Sequence, residues 1–298
     1  MIKISCEKDP GKAKALWEEI SPNESLYDRW DFRFAFWQTK PWPLSFYAAH
    51  DEGRLVALLP LQENTEAGYL EFLADDFMES NRIFCRPGYE GLAFDLVKAT
   101  KQSLRLYDLV FETPPPTPWE IEDYTYYAEL SDLNSFDDFL RLYFPDRRRR
   151  QNFRQVLSGL EKKRRLEVEY DDFSALDKLM DLNKSQFGAE SYLSSPAERQ
   201  PFHDILKMPL EKSFVTLKID GQAAAYSLSI IYNHTYYYLI AGADRSLEPN
   251  AFKYLTKLNL ELALKKKARV FSTGLGDCGW KPFWHFKRQE QYKLDLDL

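Results

Sequence analysis

The sequence lacks the features that mark disulfide-bonded, metal-binding and membrane-spanning proteins. Its 298 residues contain only three cysteines, no C-x-x-C pair and no metal-ligand spacing among the four histidines, so we expect reduced thiols and no metal. No apolar run approaches the roughly 20 residues that a membrane span needs, and the first residues contain no apolar signal core. A G-x-S-x-G nucleophile motif is also absent. These absences favour a cytoplasmic protein without a membrane span.

The composition is that of a globular chain, with 44% hydrophobic and 15% aromatic residues. Its length suits one large or two medium domains. The net charge of −6 argues against a protein that coats nucleic acid. Residues 141–165, however, hold ten basic and two acidic side chains. A basic segment on an otherwise acidic chain indicates a local anionic partner.

The hydrophobic pattern predicts the same order of elements twice. Residues 166–298 predict a strand, two helices, three strands, a long helix, a strand, a turn and a last strand. The stretch "SFVTLKIDGQAAAYS" contains a strong D-G hairpin turn. The earlier stretch "SFYAAHDEGRLVALL" repeats this pattern. We therefore predict an α/β (α+β) fold with a mixed sheet that is used twice: domains at 1–131 and 166–298, joined by a basic helical connector at 132–165. "TPPPTPW" (113–119) is predicted to be a rigid loop.

The stretch "GLGDCGWKPFWHF" contains G-x-G-x-x-G at Gly274, Gly276 and Gly279. A nucleotide-binding turn with this spacing opens a βαβ unit, with an acidic residue about 20 positions further on. Too few residues follow Gly279 for such a unit, and Pro282 interrupts the helix. We reject a dinucleotide site and predict a tight polar turn after a strand.

The duplicated order, "DEGRLVALLPL", "RRRRQNFRQ" and "TGLGDCGWKPFWHF" together resemble the double-GNAT acyltransferases. That group includes CelD/BioF2-like acetyltransferase domains and, more distantly, the Fem aminoacyltransferases. The resemblance covers nearly the whole chain. It implies two tandem GNAT-like domains, the second more complete and carrying the site, in which an amine attacks a thioester or an aminoacyl ester.

The final motif resembles the family ending G-D-x-x-[YW]-K-x-x-[FW], which implies catalytic roles for Asp277 and Lys281. Lys281 would stabilise an oxyanion, and Asp277 would orient Lys281 or accept the amine proton. Trp280 and Trp284 are the candidate substrate-binding aromatics of this motif. The alternative is a buried Asp–Lys pair packed by aromatics. Tyr237 is a further candidate for substrate binding, with packing as its alternative.

The acetyl-CoA loop of the family, R/Q-x-x-G-x-G/A, aligns with "DRSLEPNAF". The resemblance assigns cofactor contacts to Arg245, Asn250 and Ala251, with Asn250 also able to cap the next helix. Both glycines are missing and Pro249 removes one N–H donor. Either the donor is not CoA, as in Fem proteins, or the pocket is inactive.

Two arginines of the basic segment are candidate substrate-binding residues. On a helix over 146–164, Arg149 falls close to the apolar face, so we expect its charge to meet a buried partner or a ligand. Arg150 is expected to bind a carboxylate or phosphate of a substrate by forked hydrogen bonds.

Three functions stay open at this point. The first is an N-acyltransferase that acts on an amine of a small molecule or peptide, with acyl-CoA as one donor. The second is a Fem-like aminoacyltransferase that uses charged tRNA, which the basic segment would attract electrostatically. The third is a non-catalytic binding protein with a GNAT fold.

Overall fold

The computed structural model describes residues 1–111, 119–188 and 191–297. The chain forms two compact units, one of Met1–Tyr124 with Gln289–Leu298 and the other of Thr125–Arg288. The predicted loop "TPPPTPW" lies, except for Trp119, outside the described residues. The predicted domain boundaries stay a prediction.

The first unit is built on a mixed sheet. Its strands are β1 (Ile2–Glu7), β2 (Leu44–Asp51), β3 (Arg54–Asn64), β4 (Tyr69–Phe72), β5 (Phe84–Cys85), β6 (Leu104–Leu109), the beginning of β7 (Glu120–Glu129) and most of β13 (Lys287–Leu296). Its described helices are α1 (Pro10–Ile20), α2 (Trp30–Trp37) and α3 (Leu92–Thr100). Within this unit the strand order is β1-β2-β3-β4-β6-β13, with β5 on β3, and β4 and β6 pair in parallel.

The second unit has the sheet order β7-β12-β11-β10-β9-β8. The strands that follow β7 are β8 (Leu166–Tyr170), β9 (Glu211–Ile219), β10 (Gln222–Tyr232), β11 (Thr235–Ala243) and β12 (Val270–Leu275). The described helices are α4 (Phe136–Tyr143), α5 (Arg147–Lys163), α6 (Leu176–Phe187), α7 (Pro196–Lys207) and α8 (Ala251–Lys265). The mixed α/β fold class is confirmed.

The two predicted hairpins form at equivalent places in the two units. Glu52 and Gly53 connect β2 to β3, and Asp220 and Gly221 connect β9 to β10. All four residues have positive φ, from 49° to 85°. Two successive positive φ angles are typical of the tight turns whose twist matches that of paired strands. Glycine at the second position makes this conformation inexpensive.

Side-chain caps start the two helices of the basic segment. Ser135 Oγ accepts a hydrogen bond from the Asp138 N–H at 3.1 Å, so α4 begins at the next residue, Phe136. Asp146 Oδ1 accepts from the Arg149 N–H at 2.7 Å and starts α5. Satisfying these first N–H groups stabilises a helix by about 1 kcal/mol. Within the described residues, no helix is both long and apolar enough to cross a membrane.

A carboxyl group in the first unit makes stability depend on pH. Burial, together with the nearby Glu122, Glu79 and Asp123, raises the pKa of Asp108 to about 7. The folded protein therefore binds this proton more tightly than the unfolded chain. The stability contribution of Asp108 falls as pH rises from about 4 to about 7 and stays low above that range.

We expect Asp108→Asn to stabilise the protein at pH 8 and to leave it nearly unchanged at pH 4. Asp108 has a φ of 55°, and Asn tolerates this left-handed conformation. Urea unfolding of both proteins at the two pH values measures the difference. An equal difference in unfolding free energy at pH 4 and pH 8 would contradict the assignment.

Candidate functional site

Strands β11 and β12 of the second unit separate toward their C-terminal ends. They pair in parallel at Thr235–Tyr237 and Val270–Ser272, and among the described residues the pairing stops there. Beyond this point β11 stays paired with β10 as far as Ala243, and β12 stays paired with β7 as far as Leu275. Because each strand follows a different neighbour, an opening forms between them.

Aromatic side chains surround this opening. Trp280 lies edge-on to Phe252, with ring centroids 5.0 Å apart, and to Tyr238 at 6.3 Å. Phe286 is 6.0 Å from Trp280, and Phe271 is 5.7 Å from Tyr238. Trp280 is partly exposed, so the predicted substrate-binding aromatic lies at the opening and keeps access to solvent.

The three consecutive tyrosines of β11 are all buried. Tyr236 donates a hydrogen bond to Asn259 Oδ1 at 2.7 Å, inside the packed core. Burial raises the pKa of Tyr238, whose hydroxyl lies beside Thr256. Tyr237 points to the opposite sheet face because side chains alternate along a strand, and its role in substrate binding stays a prediction.

The glycine-rich stretch forms a tight turn after β12. Gly274, Gly276 and Gly279 have φ angles of 73°, 73° and 71°, a region that glycine adopts at no steric cost. Asp277 is exposed, and its Oδ1 accepts a hydrogen bond from the Gly279 N–H at 2.8 Å. Among the described residues a short 3-10 helix, Pro282–Trp284, and then β13 follow this turn, with no βαβ unit. The tight polar turn that the sequence predicts after a strand is present here.

Lys281 is buried, with only 3% of its surface exposed. Its ammonium donates to the carbonyl oxygens of Leu275 and of Gly274, the latter at 2.9 Å. It also lies 5.6 Å from the ring centroid of Tyr126. These contacts hold the turn against the end of β12, so Lys281 fixes the position of the turn that carries Asp277. The predicted oxyanion role of Lys281 stays a prediction.

Trp284 lies in an aromatic cluster and is 1% exposed. Its ring centroid is 4.9 Å from that of Phe153, 6.0 Å from Phe286, 6.1 Å from Phe139 and 6.3 Å from Phe136. These rings belong to α4, to α5 and to the turn before β13. The cluster packs α4 and α5 against the turn, and substrate binding by Trp284 stays a prediction.

The arginines at the start of α5 have different surroundings. Arg149 is exposed, so the expectation that its charge meets a buried partner is wrong. The first turn of α5 extends past the apolar stripe, which is buried only from Phe153 onward. Arg150 donates to the carbonyl of Phe144 at 2.6 Å and thereby ties the end of α4 to α5. Substrate binding by Arg150 stays a prediction.

The loop between β11 and α8 satisfies its backbone N–H groups with its own carboxylates. Asp244 Oδ1 accepts from the N–H groups of Ser246 and Leu247, at 2.9 and 3.2 Å. Glu248 Oε1 accepts from the Asn250 N–H at 3.1 Å. The side chain of Glu248 is only 13% exposed, and Arg164 Nε lies 3.8 Å from Glu248 Oε2.

The residues assigned to a CoA pyrophosphate do not form a phosphate cradle. Arg245 is exposed, Ala251 is fully buried, and its N–H donates to the Glu248 carbonyl. Asn250 occupies the N-cap position of α8, but its side chain caps no helical N–H. A pyrophosphate at this helix N-terminus would lie beside the Glu248 carboxylate, and like charges repel. The loop therefore lacks the glycine-rich cradle that the family resemblance implies, and it places a carboxylate beside the start of α8.

The corresponding strands of the first unit are closed by the chain itself. In the described part of this unit, strands β4 and β6 pair at Leu70 and Leu104, and beyond that pair Asn81 forms a parallel bridge with Leu109. Asn81 is fully buried, and its N–H donates to the Asp108 carbonyl at 2.8 Å. The open pair of strands thus lies in the second unit. The described residues contain no cluster of His, Cys, Asp or Glu suited to a metal ion.

Sequence reasoning missed Glu248 and Lys253 as site residues. Glu248 lies within the quoted "DRSLEPNAF", and an acidic side chain in a presumed phosphate loop was an available signal. Lys253 lines a cavity with Arg149. Lys253 also lies near the ring of Phe153, which is 100 positions earlier in the chain, and no local pattern reveals such a contact.

Comparison with known proteins identifies chains of similar fold. Residues 147–282 match the family model of an acetyltransferase (GNAT) domain. No curated protein sequence matches the chain.

Three solved structures illustrate the similarity. A structure of FemX has 13% identity and a TM-score of 0.60, covering 99% of this chain and 98% of that one. A tandem GNAT protein from the clavulanic acid biosynthesis pathway has 12% identity and a TM-score of 0.55, covering 99% and 98%. L-PGS from Bacillus licheniformis has 12% identity and a TM-score of 0.58, covering 96% and 91%. At these identities the similarity is one of fold, and the predicted tandem GNAT fold is confirmed.

Proposed function

We propose that this chain, which has a tandem GNAT fold and matches the family model of an acetyltransferase (GNAT) domain at residues 147–282, is an N-acyltransferase. It moves an acyl group from an activated donor to an amine. The observation that carries this proposal is the opening between β11 and β12 beyond Tyr237 and Ser272. An unpaired strand edge presents backbone N–H and C=O groups, which can hold an extended acyl donor.

The turn after β12 supplies the side chain for proton transfer. The amine nitrogen forms a bond to the acyl carbon, and the bond from that carbon to the leaving group breaks. Asp277 is exposed, and within the described residues its carboxylate accepts a hydrogen bond only from the Gly279 N–H, so in this proposal it takes the amine proton. The leaving group takes up a proton from solvent. Lys281 keeps the turn in place through the carbonyls of Gly274 and Leu275.

The donor in this proposal is an aminoacyl ester, such as charged tRNA, rather than acyl-CoA. Asp244 and Glu248 satisfy the loop N–H groups that a pyrophosphate would need. The basic side chains of α5, including the exposed Arg147, Arg148 and Arg149, attract a polyanionic donor. An ester donor breaks a C–O bond and releases a hydroxyl group.

Two measurements on the full chain test the donor. We expect acetyl-CoA to leave the thermal unfolding midpoint unchanged. A ligand that bound only the folded state, at 100 times its Kd, would stabilise that state by about 2.7 kcal/mol and raise the midpoint. We expect radiolabelled amino acids to pass from bulk charged tRNA to a mixture of free amino acids, with a rate that falls as salt rises.

The outcomes separate the open alternatives. Acetyl transfer from acetyl-CoA together with a raised midpoint would contradict the ester donor but keep the N-acyltransferase. Absence of transfer from both donors to the amino-acid mixture would contradict the transferase and favour a non-catalytic binding protein.

A further inference from the structure

A cavity of about 450 Å³ lies beside the opening in the second unit. Its lining residues come from the end of α4, the first turns of α5 and α8 and the turn before β13: Phe144, Arg149, Asn152, Phe153, Val156, Lys253, Phe283 and His285. The volume is within the range of small-molecule sites. Phe283 keeps 48% of its surface exposed at this cavity, which is a large exposure for a phenylalanine.

Two cations line the cavity without a carboxylate partner among the described residues. Lys253 Nζ lies 4.7 Å from the ring centroid of Phe283 and 5.9 Å from that of Phe153, and it donates to Asn250 Oδ1 at 3.3 Å. Burial lowers the pKa of Lys253. No side-chain hydrogen bond or ion pair of Arg149 occurs in the described parts of the chain.

Two other cations on the same helices are paired. Arg154 of α5 contacts Asp137 at 2.8 Å, and Lys257 of α8 contacts Glu261 at 3.2 Å. Lys253 differs from Lys257 because it is half-buried beside the phenylalanine rings and has no carboxylate partner among the described residues. A partly desolvated cation over apolar rings is costly unless an anion accompanies it, which points to an anion supplied by a ligand.

We infer that this cavity binds the acceptor of the proposed transfer, an amine whose aromatic or aliphatic body carries an anionic group. The phenylalanine rings and Val156 contact the body, and Arg149 and Lys253 bind the anion. The inference rests on the proposed function because it places the acceptor next to the donor. Lys253 directly follows Phe252, which contacts Trp280 at the opening between the strands.

The anion is a carboxylate or a phosphate, and calorimetric titration with small probes distinguishes them. The probes are N-acetyl-L-phenylalanine, phenyl phosphate and the neutral N-acetyl-L-phenylalaninamide. We expect the wild-type protein to bind at least one anionic probe about tenfold more tightly than the neutral one, since a charge-assisted contact contributes about this factor. The tighter of the two anionic probes identifies the anion.

Two variants and a matched control assign the binding to the cavity. Lys253→Met keeps the packing on Phe283, and Arg149→Gln keeps the length of the side chain. We expect each to weaken the anionic probe about tenfold and to leave the neutral probe unchanged. Lys265→Met removes an exposed charge from the last turn of α8, the helix that carries Lys253, and should change neither. Thermal unfolding checks that every variant is folded.

Equal affinity for the neutral and the anionic probes would overturn the inference. A preference for the anionic probe that survives when Lys253→Met and Arg149→Gln are combined would also overturn it. Tighter binding of adenosine monophosphate than of phenyl phosphate would assign the cavity to a nucleotide and overturn it as well. These titrations need no turnover. Transfer without anion binding would remove only this inference, and anion binding without transfer would remove only the proposed function.

Discussion

Replacing Asp277 by Asn should lower kcat for amine acylation by about 10²- to 10⁴-fold, the usual contribution of a positioned proton acceptor. The Asn side chain keeps an Oδ1 atom that can accept the Gly279 N–H, now at 2.8 Å from Asp277. The turn therefore survives, and only the proton-accepting carboxylate is lost. Steady-state kinetics with the charged-tRNA donor, together with urea unfolding, measure both effects.

An aspartate elsewhere in the second unit that also accepts the N–H group two positions ahead provides the control. Asp172 is exposed, and its Oδ1 accepts from the Ser174 N–H at 3.2 Å and from the Ser174 hydroxyl at 2.6 Å, before α6. Asp172→Asn should leave kcat unchanged. A wild-type kcat in Asp277→Asn would remove Asp277 from the chemistry. A parallel loss of stability and kcat would indicate a structural role for its charge.

Replacing Trp284 by Ala should lower the free energy of unfolding by about 3–5 kcal/mol, as for other large core aromatics. The ring is 1% exposed and packs on Phe153 and Phe286, with centroids at 4.9 and 6.0 Å. Its removal leaves a cavity between α4, α5 and the turn. Trp284→Phe should cost less because it keeps part of this packing.

The neighbouring Phe283 is the matched control, since 48% of its surface is exposed. Phe283→Ala should cost less than about 1.5 kcal/mol because little of its area is buried. Unfolding is followed by far-ultraviolet circular dichroism, which does not depend on the replaced tryptophan. If Trp284→Ala is no less stable than Phe283→Ala, the packing role is wrong and the predicted substrate-binding role gains support.

Local sequence signals predicted the elements well where the deciding contacts are a few residues apart. The predicted Asp-Gly turn at 220–221 formed, and the side chains of Ser135 and Asp146 cap the two helices of the basic segment. Each of these features depends on one residue and on backbone groups within three positions of it. The duplicated order of elements followed from these same signals.

Long-range packing decided the chemistry of the charged side chains. The sequence left a buried Lys281 open as an alternative to its oxyanion role, and only the fold of the turn brings the carbonyls of Gly274 and Leu275 to its buried ammonium. Arg149 was expected near the core, but it lies beyond the buried part of α5. Helical periodicity gives the direction of a side chain, but it does not show how far the packed surface extends.

The sequence by itself determined the strands, the helices, their caps and turns and their repetition, because these depend on backbone preferences and on neighbours along the chain. Only the tertiary structure decided that β11 and β12 separate, that Asn81 closes the equivalent strands of the first unit, and that Lys253 and Arg149 share one cavity. Those features depend on which distant segments occupy the same space, and burial and the pairing of charges are set there.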